Sequence, residues 1–144
     1  MYFLYTDDIL CRMKKEKSEV FIPPNLDNPP EEHEIEAAWI IAKHFNCLVK
    51  FLKPIVGYKI KTADFVIQGL LWELKSPTGT SRRSCVNRQL VSALEQSNNI
   101  IFDGRRTKLE DEFIKAKLLA ELKMKRSIRR LLFITKNEDV VVLK

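Results

Sequence analysis

Residues 61–79, KTADFVIQGLLWELKSPTG, decide how this chain is read. Two short apolar runs, Ala63–Ile67 and Leu70–Lys75, are joined by Gln68–Gly69, a link of hairpin length whose glycine accepts the positive φ such turns require. If Ile67 pairs with Leu70, then Val66 pairs with Leu71, Phe65 with Trp72, and Asp64 with Glu73. Directly opposed side chains stand about 4.5–5.5 Å apart at Cβ, where like charges repel. Lys75 follows Glu73 on the same face by strand alternation and offsets part of that repulsion. A divalent cation held between the carboxylates would offset more of it.

The chemistry follows from those residue types. Paired carboxylates bind Mg²⁺ or Mn²⁺ through oxygen, and Zn²⁺ is a further candidate. Such a cation polarises a phosphoryl group and acidifies bound water, while a nearby ammonium positions that water or stabilises developing charge. Asp64, Glu73 and Lys75 are therefore candidate catalytic residues for phosphodiester hydrolysis, with Asp64 and Glu73 as the metal ligands. The plain alternative is an exposed hairpin face with an incidental Glu–Lys pair, since a D-x8-ExK spacing often arises by chance.

Outward from the hairpin, EEHEIEAAWIIAKHFN places Ile35, Ala38, Ala42 and Phe45 on one stripe and predicts a helix over 31–45, its early glutamates suiting the positive end of the macrodipole. Cys47–Leu52 reads as a strand ahead of the two in the hairpin. After SPTGTSRRS, the recurrence of Val86, Leu90, Ala93, Leu94 and Ser97 predicts a second helix, closed by Asn98–Asn99 before the strand IIFD. A third helix is expected over 107–124, then two strands, RLLFIT and VVVL, about a turn at Lys136–Asp139. The expected order is αβββαβαββ, an α/β (α+β) single domain with a mixed central sheet flanked by helices. Residues 1–30, with IPPNLDNPP and a short element at Tyr2–Leu10, read as an irregular leader, and 31–144 as the domain. Trp39 and Trp72 are expected in the core, with Trp72 on the face opposite Glu73.

With 144 residues, 45% hydrophobic, 31% charged and only four Gly and six Pro, the composition excludes collagen-like, low-complexity and wholly disordered chains. Cys11, Cys47 and Cys85 are odd in number and lack CxxC spacing, so neither a zinc knuckle nor a disulfide framework is signalled, and a reducing, cytoplasmic site of action is expected. The N-terminus reaches acidic residues by position 7 and has no apolar run of membrane length, so no membrane partner is expected. The formal net charge of +6 suits a polyanionic partner.

That charge is concentrated. Residues 105–130 carry ten Lys or Arg, among them Arg105, Arg106, Lys117 and Arg126, against four acids, and a basic helix face there could track a phosphate backbone or simply be solvated. The segment Ser76–Arg83 is the second candidate. Ser76, Thr78, Arg82 and Arg83 stand at a helix entrance beside Lys75 and could hold phosphates next to the cut, or form an ordinary polar loop with Ser81 or Ser84 as N-cap.

At KTADFVIQGLLWELKSPTG the sequence resembles the PD-(D/E)xK nuclease superfamily, whose restriction-endonuclease-like core is αβββαβ; Ala63 stands where that family often has Pro. From His33 to Lys144, including KTADFVI, WELKSPTG, QSNNIIFD and RLLFITK, it resembles the C-terminal tRNase domains of contact-dependent growth-inhibition and related polymorphic toxins. The resemblance implies metal ligands at Asp64 and Glu73, a catalytic Lys75, and an acidic contribution from the first helix, by Glu34 or its competitor Glu36. It also implies a polar residue facing the site from the second helix, for which Gln89 and Gln96 are candidates. The substrate it implies is tRNA or another nucleic acid. The partner it implies is an acidic immunity protein over the cleft or the basic helix, and the setting is delivery of a toxin-sized unit into a target cell's cytoplasm. Some toxins of this kind use a barnase-like, metal-independent ribonuclease fold. With His33 and His44 the only histidines, that mechanism would lean on Lys and Glu. A non-catalytic nucleic-acid-binding module is the third reading.

Overall fold

The structure is a computed structural model that describes residues 17–53 and 62–144. The element expected at Tyr2–Leu10, and Cys11 with it, lies outside those residues. In chain order the elements are β1 (Glu19–Phe21), α1 (Glu32–Phe45), β2 (Leu48–Phe51), β3 (Phe65–Ile67), β4 (Leu70–Lys75), α2 (Cys85–Leu94), β5 (Asn99–Asp103), α3 (Asp111–Met124), β6 (Arg130–Ile134) and β7 (Val140–Val142). From α1 onward this is the expected αβββαβαββ. The strands form one mixed seven-stranded sheet in the order of the sequence, with β1–β2, β4–β5 and β5–β6 parallel and the other pairs antiparallel.

Two apolar layers cover the sheet. On one face Ala37, Ala38, Ile41 and Ala42 of α1 pack on Val49, Phe65, Trp72, Leu74 and Ile101; on the other Leu90 and Ala93 of α2 and Ile114 and Leu118 of α3 pack on Ile100, Phe102, Leu131 and Phe133. Small alanines along α1 let its backbone approach the strands closely. Its first turn is closed by a capping box in which the Glu31 N–H donates to Glu34 Oε2 at 2.8 Å. Asn46, left-handed at φ 52, ends it.

The hairpin register is the expected one: Ile67 pairs with Leu70, Val66 with Leu71 and Phe65 with Trp72. Gln68 and Gly69 both have positive φ, 51 and 78, as a type I′ turn demands. Gly104 is required for another reason, since a Cβ there would lie 2.7 Å from the Phe133 ring.

Three expectations change. Part of the leader is ordered in the sheet: Glu19–Phe21 lies parallel to β2, a pairing too short to show as alternation. The third helix starts at Asp111, not 107, because Thr107 and Leu109 are drawn into the connection. Thr107 Oγ1 donates to the Gly79 carbonyl and accepts the Leu109 N–H, and Leu109 is buried. Trp39 is 39% exposed, with Lys43 over its ring, while Trp72 is buried in the α1-side core, opposite Glu73.

Candidate active site

Strand alternation sends Trp72 and Leu74 toward α1 and Glu73 and Lys75 toward α2. Glu73 is only 1% exposed, and its Oε2 has no hydrogen-bond partner among the described residues. The Lys75 ammonium stands 3.8 Å from that oxygen. Asp64 is not a regular ladder partner of Glu73. Its N–H donates to the carbonyl of Trp72, the residue already paired with Phe65, so two residues of one strand answer to one of the other, as at a β-bulge. The bulge turns the Asp64 carboxylate onto β4, where Oδ2 accepts the Leu74 N–H at 2.8 Å.

The two carboxyls meet. Burial first, then a side-chain hydrogen bond to Asp64 and the Asp64 charge, push Glu73 up to about 9, against the opposing pull of Lys75 and the Leu74 N–H. A hydrogen bond between two carboxyls needs a proton between them. A divalent cation would take the place of that proton and supply the missing partner of Oε2, so the residues present fit such an ion. No group of three or more His, Cys, Asp or Glu ligands forms among the described residues. Asp64 and Glu73 would therefore hold a cation as a pair, leaving its other positions to water and substrate oxygens, as Mg²⁺ favours.

Around this pair the expected residues sort by place. Glu34 lines a cleft of about 480 Å³ together with Asp64, Leu52 and Gln96, whereas Glu36 is held by Arg105 at 3.0 Å. Gln89 lies instead in a separate groove of about 520 Å³ with Ser76, Thr78, Ser84, Arg88 and Arg106. Arg105 is committed internally: it grips the fully buried Asp103 through Nε and Nη2, each at 2.9 Å, and donates to the His33 carbonyl as well as to Glu36. Burial opposes its charge, but the bonds to Asp103 and Glu36 outweigh this and hold its pKa above the ordinary value. Asp103 also accepts from Ser76 Oγ at 2.9 Å, which ties the end of β4 to the end of β5.

Arg106 remains at the groove, its Nη1 donating to the Ser76 carbonyl at 3.2 Å and lying 2.8 Å from His33 Nε2. Arg82 and Lys117 come together over the Phe113 ring, at 5.0 and 5.9 Å, which joins the loop to the basic helix. Arg83 is exposed. Arg126 sits apart, in a cavity at the opposite end of the sheet. The sequence reading passed over Asp103 and Arg88; the only signal for Asp103 was an acid closing an otherwise apolar strand.

Residues 61–140, which carry the carboxylate pair, Lys75, the loop and α3, match the family described as the contact-dependent growth inhibition CdiA C-terminal domain. The chain belongs to that family. Among solved structures, a chain of the CdiA-CT/CdiI toxin and immunity complex from Burkholderia pseudomallei has the same fold, with a TM-score of 0.54 at 15% identity over 88% of this chain and 98% of the other. No curated protein sequence matches. Among the described residues, no helix is long and apolar enough to cross a membrane.

Proposed function

We propose that this CdiA C-terminal domain is a toxin that cleaves RNA phosphodiester bonds, with tRNA as substrate, by a mechanism that depends on a divalent cation. The observation that carries the reading is Glu73, buried on β4 next to the Leu74 N–H that Asp64 accepts, with its Oε2 unpartnered among the described residues and the Lys75 ammonium 3.8 Å away. A bound Mg²⁺ or Mn²⁺ would supply Lewis-acid polarisation of the phosphoryl group and a more acidic water. Asp64 and Glu73 would hold the ion. Lys75 orients the attacking water and offsets the charge that grows on the phosphate oxygens. Glu34, in the same cleft as Asp64, orders polar groups at the mouth. Ser76, Thr78, Arg83, Arg88 and Arg106 line or adjoin a groove suited to the flanking phosphates, and Arg82 with Lys117 continues that path. PD-(D/E)xK ancestry is consistent with the element order and the D-x8-ExK spacing.

The partner we propose is an acidic immunity protein, supported by the net charge of +6 and by the complex in which the structural neighbour is found. Action in the cytoplasm of a target cell accords with the family and with two buried cysteines, Cys47 and Cys85, that form no disulfide among the described residues.

A metal-independent ribonuclease is the second reading, favoured by one observation: Glu31, His33 and Arg106 form a chain beside Ser76, with His33 Nδ1 3.3 Å from Glu31. Incubation of purified protein with total tRNA, and separately with plasmid DNA, in EDTA and then in Mg²⁺, Mn²⁺ or Zn²⁺ separates the readings. Cleavage of tRNA restored only by metal is expected. Cleavage in EDTA would transfer the chemistry to the His33 chain, and intact tRNA under every condition would reduce the domain to a binding module.

A further inference from the structure

A cavity of about 650 Å³ opens on the α1 face of the sheet, at the end marked by the Gln68 turn and the C-terminus of α1. The length of β4 separates Leu70 on its wall from Lys75, about 17 Å at strand rise. It is therefore distinct from the carboxylate cleft. Ile67, Leu70, Leu132 and Val142 make it apolar, and Leu70 and Val142 are themselves 36% and 57% exposed. Its rim carries Arg126, Arg129, Arg130 and Lys144, and among the described residues no Asp or Glu lines it. None of these four cations has a carboxylate partner among the described residues; Arg130 donates to Asn99 and Lys144 to the Ile128 carbonyl. Trp72 lines the same cavity, is 7% exposed, and its indole N–H has no acceptor among the described residues. A buried donor left unmet is destabilising, so a ligand acceptor there would be favoured.

We infer that this cavity docks a partner protein that presents an apolar side chain within an acidic segment. The apolar anchor fills the pocket, a carbonyl or carboxylate accepts the Trp72 N–H, and the acidic flanks meet the arginine rim, the pattern of a desolvated hot spot ringed by charge. The walls are aliphatic and the Trp72 ring is almost wholly covered, whereas RNA bases are taken up on open aromatic faces. A second copy of this chain is disfavoured by its own positive charge. The identity of the occupant as the immunity partner rests on the function proposed above; the site itself does not.

The test is a titration of the ¹⁵N-labelled chain, following the Trp72 indole N–H resonance identified with Trp72→Phe. The probes are a short Asp/Glu/Ser peptide with a central Leu-Phe pair, the same peptide with Ser-Ser in its place, and oligouridylate. A saturable shift with the Leu-Phe peptide alone is expected, weakened about tenfold by Arg129→Glu and by Val142→Asp. Val142→Asp should leave tRNA cleavage unchanged, so loss of docking and loss of nuclease action are read separately. No shift, an equal shift with the Ser-Ser peptide, or a shift only with oligouridylate would each overturn the inference.

Discussion

At the scale of single residues, the site depends on one carboxylate placed where it is least comfortable. Glu73 is buried against Asp64, with Lys75 too distant at 3.8 Å for a hydrogen bond. Alanine at Asp64, Glu73 or Lys75 should each lower tRNA cleavage by about a hundredfold or more with the fold retained, as judged by circular dichroism. Full activity in any two of these variants would remove the assignment. Burial and Asp64 raise Glu73 from 4.5 to about 9, so the folded chain binds a proton that the unfolded chain releases. In EDTA, the contribution of Glu73 to stability should therefore be fully present at low pH and be lost as pH rises from about 4.5 toward about 9. Glu73→Gln should flatten that slope and raise stability at pH 8 without metal, because the amide takes up no proton on folding. Urea titrations across pH measure both, and Mn²⁺ should stabilise the wild-type chain but not the variant.

At the scale of elements, the placement of α1 matters most, since it brings Glu34 to the cleft. Its N-terminal half is tied to the sheet by Arg105, which bridges Asp103 at the end of β5 to Glu36 and the His33 carbonyl. This is why Arg105, counted from sequence among the nucleic-acid contacts, is better understood as a strut: its side chain is 11% exposed and its donors are engaged. Arg105→Ala leaves Asp103 charged, buried and without its ion pair. A loss of about 3–5 kcal/mol is expected in chemical denaturation, with metal affinity falling as α1 loosens. Arg106→Ala, one position on and exposed, should instead cost less than about 1 kcal/mol in stability while weakening RNA binding.

At the scale of the whole molecule, the basic surface is divided. Arg82 and Lys117 meet across Phe113 on the α2–α3 side, continuous with the loop beside Lys75, whereas Arg126 and Arg129 rim the cavity near the hairpin turn. A polyanion crossing the cleft would meet the first group. Reversing Arg82 and Lys117 together to Glu should weaken RNA binding and reduce the slope of log K against log salt by about 1.5, two phosphate contacts' worth. Fluorescence anisotropy over a salt series measures this, and an unaltered slope would place the RNA elsewhere.

Element order, the hairpin register from Phe65 to Trp72 and the shared face of Glu73 and Lys75 were legible in the sequence because they rest on local rules. A two-residue link dictates pairing, and alternation dictates which side chains share a face. The same holds for the burial of Trp72 opposite Glu73. Other features lay beyond that reach. The bulge that turns Asp64 onto the Leu74 N–H, the placing of Glu34 on the Asp64 cleft and of Glu36 on Arg105, and the diversion of Arg105 to Asp103 all depend on which strands become neighbours. So does the pairing of Glu19–Phe21 with β2, and so does the separation of Arg126 from Lys117. Residues far apart in the chain, such as Arg105 and Glu36, become partners only when the sheet and its helices are assembled, because burial selects which charges must be neutralised and which may face water.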